Sequence, residues 1–327
     1  MRITQNWLNT TVTAITDRSP TVREFELLPE DTGTLSYGPG AHIQVRLPIS
    51  GIEPQTRSYS LIGLPNARCY RIAVKRMDMG RGGSLHMWQL TAGDQLLVSG
   101  PQNHFPLSFD APEYLLIAGG IGVTPLLSMA QALSEHASRA PVAVRMLYAA
   151  RHHDEFAYAE TLRQSLGDAL QCFDSSVDET IDFAAEIATL HPLAQVYCCG
   201  PIPMLDSLKQ AWAASARPLQ NLRFETFGNS GHNESTAFTV HLPRHHLELT
   251  VAADVSLLDA LQSAGVAVLQ HCRRGECGVC ALDVLAMDGE LDHRDVFLSA
   301  QQKQCGQQLC ACVSRATGRI TLDSAFR

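Results

Sequence analysis

Three cysteines on one short loop are the residues best suited to chemistry in this sequence. Cys272, Cys277 and Cys280 follow the spacing Cys-x4-Cys-x2-Cys. This spacing brings three thiolates to a [2Fe–2S] cluster, with a fourth thiolate arriving from far along the chain. Gly275 and Gly278 lie between the cysteines, and glycine tolerates the positive φ angles that let a loop bend and its N–H groups approach sulfur. A zinc site or a redox dithiol does not use this triplet, so the pattern predicts an iron–sulfur centre.

The fourth sulfur ligand has three candidates in the sequence. Cys305, Cys310 and Cys312 all lie downstream of the triplet. The spacing alone leaves the choice open.

A second motif, Arg57-Ser58-Tyr59-Ser60, is typical of a flavin site. The motif offers a cation for a phosphate, an aromatic ring to stack on an isoalloxazine and a hydroxyl for the flavin N5 atom. Farther along, Gly82 and Gly83 precede a helix that is predicted over residues 84–90 and opens at Ser84. A glycine-rich helix start binds anions. Together the two stretches predict that a flavin phosphate is held here.

Two further turns indicate a nicotinamide dinucleotide site. Residues 119–125, Gly-Gly-Ile-Gly-Val-Thr-Pro, follow an apolar strand and open a helix, so the backbone can approach a pyrophosphate. The stretch is not the GxGxxG fingerprint, because Pro125 stands at the third glycine position. A second turn, residues 199–204, follows a later strand and is predicted to face the same crevice.

The secondary-structure pattern divides the chain into three domains and a linker. Six short alternating segments before residue 108 predict an antiparallel β-barrel; they are residues 11–17, 22–28, 42–47, 57–62, 70–76 and 95–99. Strands then alternate with helices over residues 109–227, which predicts a parallel α/β domain. Residues 228–236 are predicted to be a flexible linker. Residues 237–327 hold a hairpin, a helix capped by Ser256 and the cysteine loop, an α+β arrangement.

Composition excludes some functions. The chain has 25 Lys and Arg against 33 Asp and Glu, a net charge of −8, so a nucleic acid is not expected as a partner. Residues 114–133 carry no charge, but Gly119, Gly120, Gly122 and Pro125 break them, which favours a buried strand, turn and helix over a membrane span. The first residues lack an apolar signal segment, and a reducing cytoplasm is expected.

The order of these parts resembles the phthalate dioxygenase reductase family and the similar vanillate demethylase reductases, within the ferredoxin–NADP reductase superfamily. The resemblance covers essentially the whole chain. It implies a six-stranded flavin barrel, an α/β nucleotide-binding domain and a β-grasp domain of the plant-type ferredoxin kind. It also favours Cys312 as the fourth ligand, because Cys312 precedes Val313 and a closing strand at residues 319–323.

The resemblance implies FMN, NADH and a [2Fe–2S] cluster as cofactors, with no side chain acting as acid, base or nucleophile. The residues expected to bind the flavin are Arg57, Ser58, Tyr59, Ser60, Val74, Lys75, Gly82, Gly83 and Ser84. The residues expected to bind the dinucleotide are Gly120, Gly122, Thr124, Pro125, Cys199, Gly200 and Pro201. Thr124, Cys199 and Phe227 are expected to position the nicotinamide, and Cys272, Cys277, Cys280 and Cys312 to bind the cluster.

The implied partner is a Rieske-type oxygenase that receives electrons from the cluster. Two other functions stay open: a reductase of a small acceptor such as a quinone, and an electron-transfer subunit of a larger complex. NADH is favoured over NADPH because Asp154 and Glu155 accompany Arg151 after the second parallel strand. Arg273, Arg274 and Glu276 are candidates for docking the partner, although they suit a solvated rim equally well.

Overall fold

The computed structural model of the protein describes residues 7–30, 36–49, 55–64, 68–78, 82–227 and 235–324. The chain divides into two compact units, Met1–Glu225 and Thr226–Arg327. Residues 228–234 of the predicted linker lie outside the described residues. The predicted domain divisions at residues 108, 227 and 236 remain predictions.

The first unit begins with an antiparallel sheet of six strands in the order β4-β3-β6-β1-β2-β5. A bridge between Leu61 and Ile72 joins the two edges, so the sheet closes into the predicted barrel. Its strands and short helix are Trp7–Ser19 (β1), Val22–Pro29 (β2), His42–Leu47 (β3), Gln55–Ser60 (β4), Tyr70–Lys75 (β5), Gly83–Gln89 (α1) and Gln95–Ser99 (β6). Alternating side chains such as Phe25 and Leu27 fill the interior, as the period of two in a strand requires.

The rest of the first unit is a parallel sheet of five strands in the order β11-β10-β7-β8-β9. Its elements are Glu113–Gly119 (β7), Val123–Ala137 (α2), Ala143–Ala150 (β8), Ala159–Leu166 (α3), Leu170–Asp174 (β9), Phe183–Ala188 (α4), Gln195–Cys199 (β10), Ile202–Ala214 (α5) and Leu222–Glu225 (β11). The strand order reverses between β7 and β10. Ligands of such sheets bind at this switch point, beyond the carboxyl ends of the strands.

The uncharged stretch 114–133 forms β7, a tight turn and the first part of α2, as predicted. Within the ranges that the structure describes, no helix has the length and apolar character needed to cross a membrane.

The second unit contains a mixed sheet in the order β13-β12-β18-β14-β16 and a two-stranded sheet of β15 and β17. The elements are Phe238–Leu242 (β12), Leu247–Val251 (β13), Leu257–Ser263 (α6), Ala281–Asp288 (β14), Leu291–Asp292 (β15), Ala300–Cys305 (α7), Gln308–Cys310 (β16), Arg315–Ala316 (β17) and Arg319–Asp323 (β18). The predicted hairpin, the Ser256 cap and the closing strand are all present. The β-grasp prediction is therefore confirmed.

A buried carboxylate joins the barrel to the nucleotide-binding sheet inside the first unit. Glu24 on β2 is 2 % exposed and accepts hydrogen bonds from Arg18 and from the Tyr158 hydroxyl, each at 2.8 Å. Tyr158 precedes α3, so this carboxylate connects the two sheets of the unit.

We expect Glu24→Ala to lower the free energy of unfolding by about 3 kcal/mol, because removing one partner of a buried pair leaves the others uncompensated. Asp17→Ala is the matched control: Asp17 pairs with Arg23 on the same strand pair, but its side chain is 59 % exposed, so its loss costs about 1 kcal/mol or less. Urea unfolding followed by tryptophan fluorescence measures both, since Trp7, Trp88 and Trp212 all lie in this unit. Equal losses would show that Glu24 does not hold the sheets together.

Candidate functional site

The cysteine loop runs from Cys272 to Cys280, between α6 and β14. Arg273, Gly275 and Gly278 have φ angles of +57°, +75° and +69°. The predicted bend at both glycines is confirmed. These left-handed conformations fold the loop back on itself, so its N–H groups face the sulfur of Cys272, where the N–H of Arg274 lies 3.4 Å from Sγ.

Space as well as conformation requires the two glycines. A Cβ atom on Gly275 would lie 2.6 Å from Val313, and one on Gly278 would lie 2.3 Å from the ring of Phe297. Both distances are shorter than van der Waals contact, so any other residue at either position would displace the loop.

The sulfur atoms meet in two groups. Cys277 donates to Cys272 and, with loop N–H groups, lowers the Cys272 pKa to about 5. Cys310 and Cys312 both donate to Cys280 and lower its pKa to about 3. The lowered pKa values favour the thiolate form of Cys272 and Cys280, which is the form that binds a metal.

This arrangement fits a [2Fe–2S] cluster. Cys272, Cys277, Cys280 and a downstream cysteine would hold the cluster through their thiolates.

The structure narrows the fourth ligand to two residues. Cys305 is exposed at the end of α7. Cys310 and Cys312 are both buried and both reach Cys280. Cys310 is fully buried on β16 opposite Ala281, whereas Cys312 is 5 % exposed in the turn that follows. The assignment of Cys312 stays a prediction.

The charged residues of the loop are paired inside the second unit, and their role in docking a partner stays a prediction. Arg273 pairs with Asp259 of α6 and donates to Gln270. Arg274 pairs with Glu276 at 3.3 Å, and their side chains are 9 % and 15 % exposed. The sequence could not distinguish this, because a charge on a loop looks the same whether or not it has a partner.

The flavin motif lies at the end of β4, where Ser60 is opposite His42 of β3. A Cβ atom on Gly83 would lie 2.8 Å from Nε of Arg57. The structure therefore brings the motif and the Gly82-Gly83-Ser84 turn into contact, as a shared phosphate site requires. Gly82 has a φ of +75°, and the Ser84 hydroxyl lies 3.0 Å from the N–H of Met77, which donates to it.

Two of the residues predicted to bind the flavin make other contacts in this structure. Val74 is buried in the barrel core, and its carbonyl accepts from Trp88. Lys75 forms an ion pair with Glu155 of the nucleotide-binding part, and Thr21 donates to the same carboxylate at 2.8 Å. Burial alone would raise the pKa of Glu155, but the bonds from Lys75 and Thr21 lower it. Glu155 therefore no longer supports the preference for NADH, which rests on exposed Asp154.

The two glycine turns meet at the switch point of the parallel sheet. Cys199 of β10 pairs in register with Ala118 of β7. A Cβ atom on Gly122 would lie 2.1 Å from the carbonyl oxygen of Cys199, and one on Gly119 would lie 2.4 Å from Pro201. The prediction that both turns border one crevice agrees with this contact.

The predicted nicotinamide residues are buried beside these turns, with one exception. Thr124 donates to the carbonyl of Ile121 at 3.0 Å and is 2 % exposed, while Cys199 is 1 % exposed. Pro125 is buried in the first turn of α2. Phe227 is exposed; its role stays a prediction.

Sequence analysis missed Glu225. This residue ends β11 in register with Cys199, is 1 % exposed and accepts from the Ser60 hydroxyl at 3.4 Å. Its carboxylate therefore links the flavin motif to the ends of the parallel strands. The available signal was an acidic residue at the end of a short strand.

Comparison with known proteins supports a flavin-binding part, a nucleotide-binding part and a cluster-binding part in this chain. The sequence matches family models described as "Oxidoreductase FAD-binding domain" over residues 9–106, "Oxidoreductase NAD-binding domain" over 116–210 and "2Fe-2S iron-sulfur cluster binding domain" over 240–317. The predictions of a flavin, a nicotinamide dinucleotide and a [2Fe–2S] cluster are confirmed. The fold and the site define an NAD(P)H-dependent flavin and iron–sulfur oxidoreductase.

Whole-length relatives narrow this class. The heme-dependent oxidative N-demethylase beta subunit of Ectopseudomonas mendocina is 36 % identical, with 97 % of this chain and 98 % of that protein covered. Tetrachlorobenzoquinone reductase of Sphingobium chlorophenolicum is 36 % identical with the same coverage. The solved structure of phthalate dioxygenase reductase, described as a modular structure for electron transfer from pyridine nucleotides to [2Fe–2S], matches with a TM-score of 0.81 and 32 % identity over 97 % of this chain and 98 % of that chain. The chain belongs to the phthalate dioxygenase reductase family, whose members include reductase subunits of oxygenase systems.

We expect Gly122→Ala to raise the NADH concentration for half-maximal flavin reduction by about tenfold, since overpacking of this contact costs about 1–3 kcal/mol. Gly167→Ala is the control, because Gly167 has a φ of +56° but open space around it. It should change stability without changing NADH affinity. Stopped-flow flavin reduction at several NADH concentrations measures the effect. An unchanged affinity in Gly122→Ala would remove this contact from the nucleotide site.

We expect Cys312→Ser to lose the cluster and Cys310→Ser to keep it. The measurement is the iron content per chain together with the visible absorption of the purified variants. The opposite result would make Cys310 the ligand and Cys312 a core residue.

Proposed function

We propose that this protein is the reductase component of a Rieske-type oxygenase system, in which electrons pass from NADH through FMN and the [2Fe–2S] cluster to the oxygenase. The observation that carries the proposal is that one chain holds a flavin motif joined to an anion-binding turn, two glycine turns at a switch point, and cysteines in two sulfur pairs. A flavin accepts two electrons as a hydride and releases them singly, which suits a one-electron acceptor.

The protein's own residues bind and orient the cofactors, and they exclude water. Arg57 and residues Gly82, Gly83 and Ser84 hold the flavin phosphate, while Ser58, Tyr59 and Ser60 face the isoalloxazine. The dinucleotide is bound by Gly120, Gly122, Pro125, Gly200 and Pro201. Thr124, Cys199 and Phe227 position the nicotinamide. The burial of Ser60, Thr124, Cys199 and Glu225 keeps water from the hydride step, as such a reaction requires.

The proposal also includes which flavin the protein binds and in which cellular compartment the protein lies. FMN is proposed because the resemblance to the phthalate dioxygenase reductase family implies it, and the contact of Arg57 with the turn at Gly83 is where its phosphate would bind. Denaturing the purified protein and weighing the released flavin tests this, and release of FAD would overturn it. A cytoplasmic location is part of the proposal, and the ten cysteines, which lie within the described ranges and form no disulfide there, are consistent with a reducing compartment.

The partner is an oxygenase of the Rieske type in this proposal, although a related subunit serves a heme-dependent demethylase. A second candidate function is reduction of a small quinone, which is favoured by the tetrachlorobenzoquinone reductase relative. The two candidates differ in whether product formation needs a second protein.

We expect anaerobic NADH to bleach the flavin and then the cluster absorption of the wild-type protein, with NADPH acting more slowly. Cys277→Ser separates the functions, because removing a cluster ligand should leave flavin reduction intact and abolish electron delivery to a purified oxygenase. If that variant still supports oxygenase turnover, electrons do not leave through the cluster. If the wild type reduces quinones rapidly and no oxygenase at all, the second function is correct.

A further inference from the structure

A carboxylate of the cysteine loop holds the residue at which the second unit begins. The N–H of Thr226 donates to Oε1 of Glu276 at 2.5 Å, and the Thr226 hydroxyl donates to the same oxygen at 3.0 Å. The other oxygen of Glu276 faces Nε of Arg274 at 3.3 Å. Thr226 is 2 % exposed. Oε1 thus accepts two hydrogen bonds from Thr226, of the charge-assisted kind, and Oε2 lies in an ion pair with Arg274.

The same residue also contacts a cluster sulfur. Glu276 lies directly before Cys277, and its backbone N–H donates to the sulfur of Cys272. One residue therefore fixes a ligand sulfur through its backbone and Thr226 through its side chain.

Thr226 is adjacent in sequence to a residue that contacts the flavin motif. Thr226 follows Glu225 directly, and Glu225 accepts from Ser60 of the flavin motif. Two consecutive residues thus contact, each within its own unit, the flavin motif and the cysteine loop. The two contacts are therefore made by residues that are adjacent along the chain.

We infer that Glu276 is a positioning residue for electron transfer: it fastens the cysteine loop to Thr226 and thereby sets the rate at which the cluster receives electrons from the flavin. The inference rests on the proposed electron path. Glu276 itself gains and loses no electron and no proton in this role.

The test uses the full-length holoprotein with Glu276→Ala, Glu276→Gln, Thr226→Val and, as a matched control, Glu248→Ala. Glu248 is a half-exposed acid of the same unit whose partner is Arg319. Glu276→Gln keeps an oxygen for Thr226 but removes the charge. Thr226→Val keeps the N–H and removes the hydroxyl.

Stopped-flow mixing with NADH separates flavin reduction from the later cluster reduction, and the EPR line shape and midpoint potential of the cluster report its surroundings independently of activity. In Glu276→Ala we expect unchanged flavin reduction, about tenfold slower cluster reduction and an altered line shape. Glu276→Gln should recover most of the rate, Thr226→Val should lie between, and Glu248→Ala should match the wild type.

Wild-type cluster reduction and line shape in Glu276→Ala would overturn the inference. If Glu276→Ala fails to keep its cluster, Thr226→Val decides: cluster reduction at the wild-type rate in that variant overturns the inference. Failure of the wild type to reduce its cluster would instead refute the electron path, which keeps the two conclusions apart.

Discussion

The structure depends most on the need to bring four sulfur atoms to one place without a regular element to carry them. Three of the four lie within nine residues, so the loop that holds them must reverse direction more than once. Positive φ angles at Arg273, Gly275 and Gly278 achieve this. Val313 and Phe297 then fill the space that side chains at the two glycines would have taken. The residues that pack around the loop therefore require glycine at these two positions of the loop.

In the first unit, the flavin and the nicotinamide must meet where water is excluded. The barrel and the parallel sheet bury polar residues at their junction. Across this junction Glu24 accepts a hydrogen bond from Tyr158, and Glu155 contacts Thr21 and Lys75. Buried carboxylates are costly unless they are paired, so the paired arrangement restricts how the barrel and the parallel sheet can fit together.

Much of this could be predicted from the sequence because the signals were local. Strand alternation, glycine turns after apolar strands and cysteine spacing each depend on neighbours within a few residues. The polar helix α7 and the short strand β16 were not predicted, since neither has an apolar period. Short strands and helices of this kind form only when tertiary contacts complete them.

The candidate site was predicted less completely, because partners far apart in sequence decide what a side chain does. Lys75 looked like a flavin residue and is paired with Glu155, which lies 80 residues away. Glu225 drew no attention until its strand was placed beside Cys199. Cys310 and Cys312 differ by two positions and both reach Cys280, so neither spacing nor burial distinguishes them decisively.

The order of strands in the second unit has a consequence for how the protein is made. Strand β18 lies at the centre of the sheet and pairs with β12 on one side and β14 on the other. The sheet therefore has no middle until residue 323 has been synthesised. Pairings between distant segments form slowly, because the chain between them must first be closed into a loop. The sheet that lies beside the cysteine loop can therefore be completed only after this whole unit has been translated.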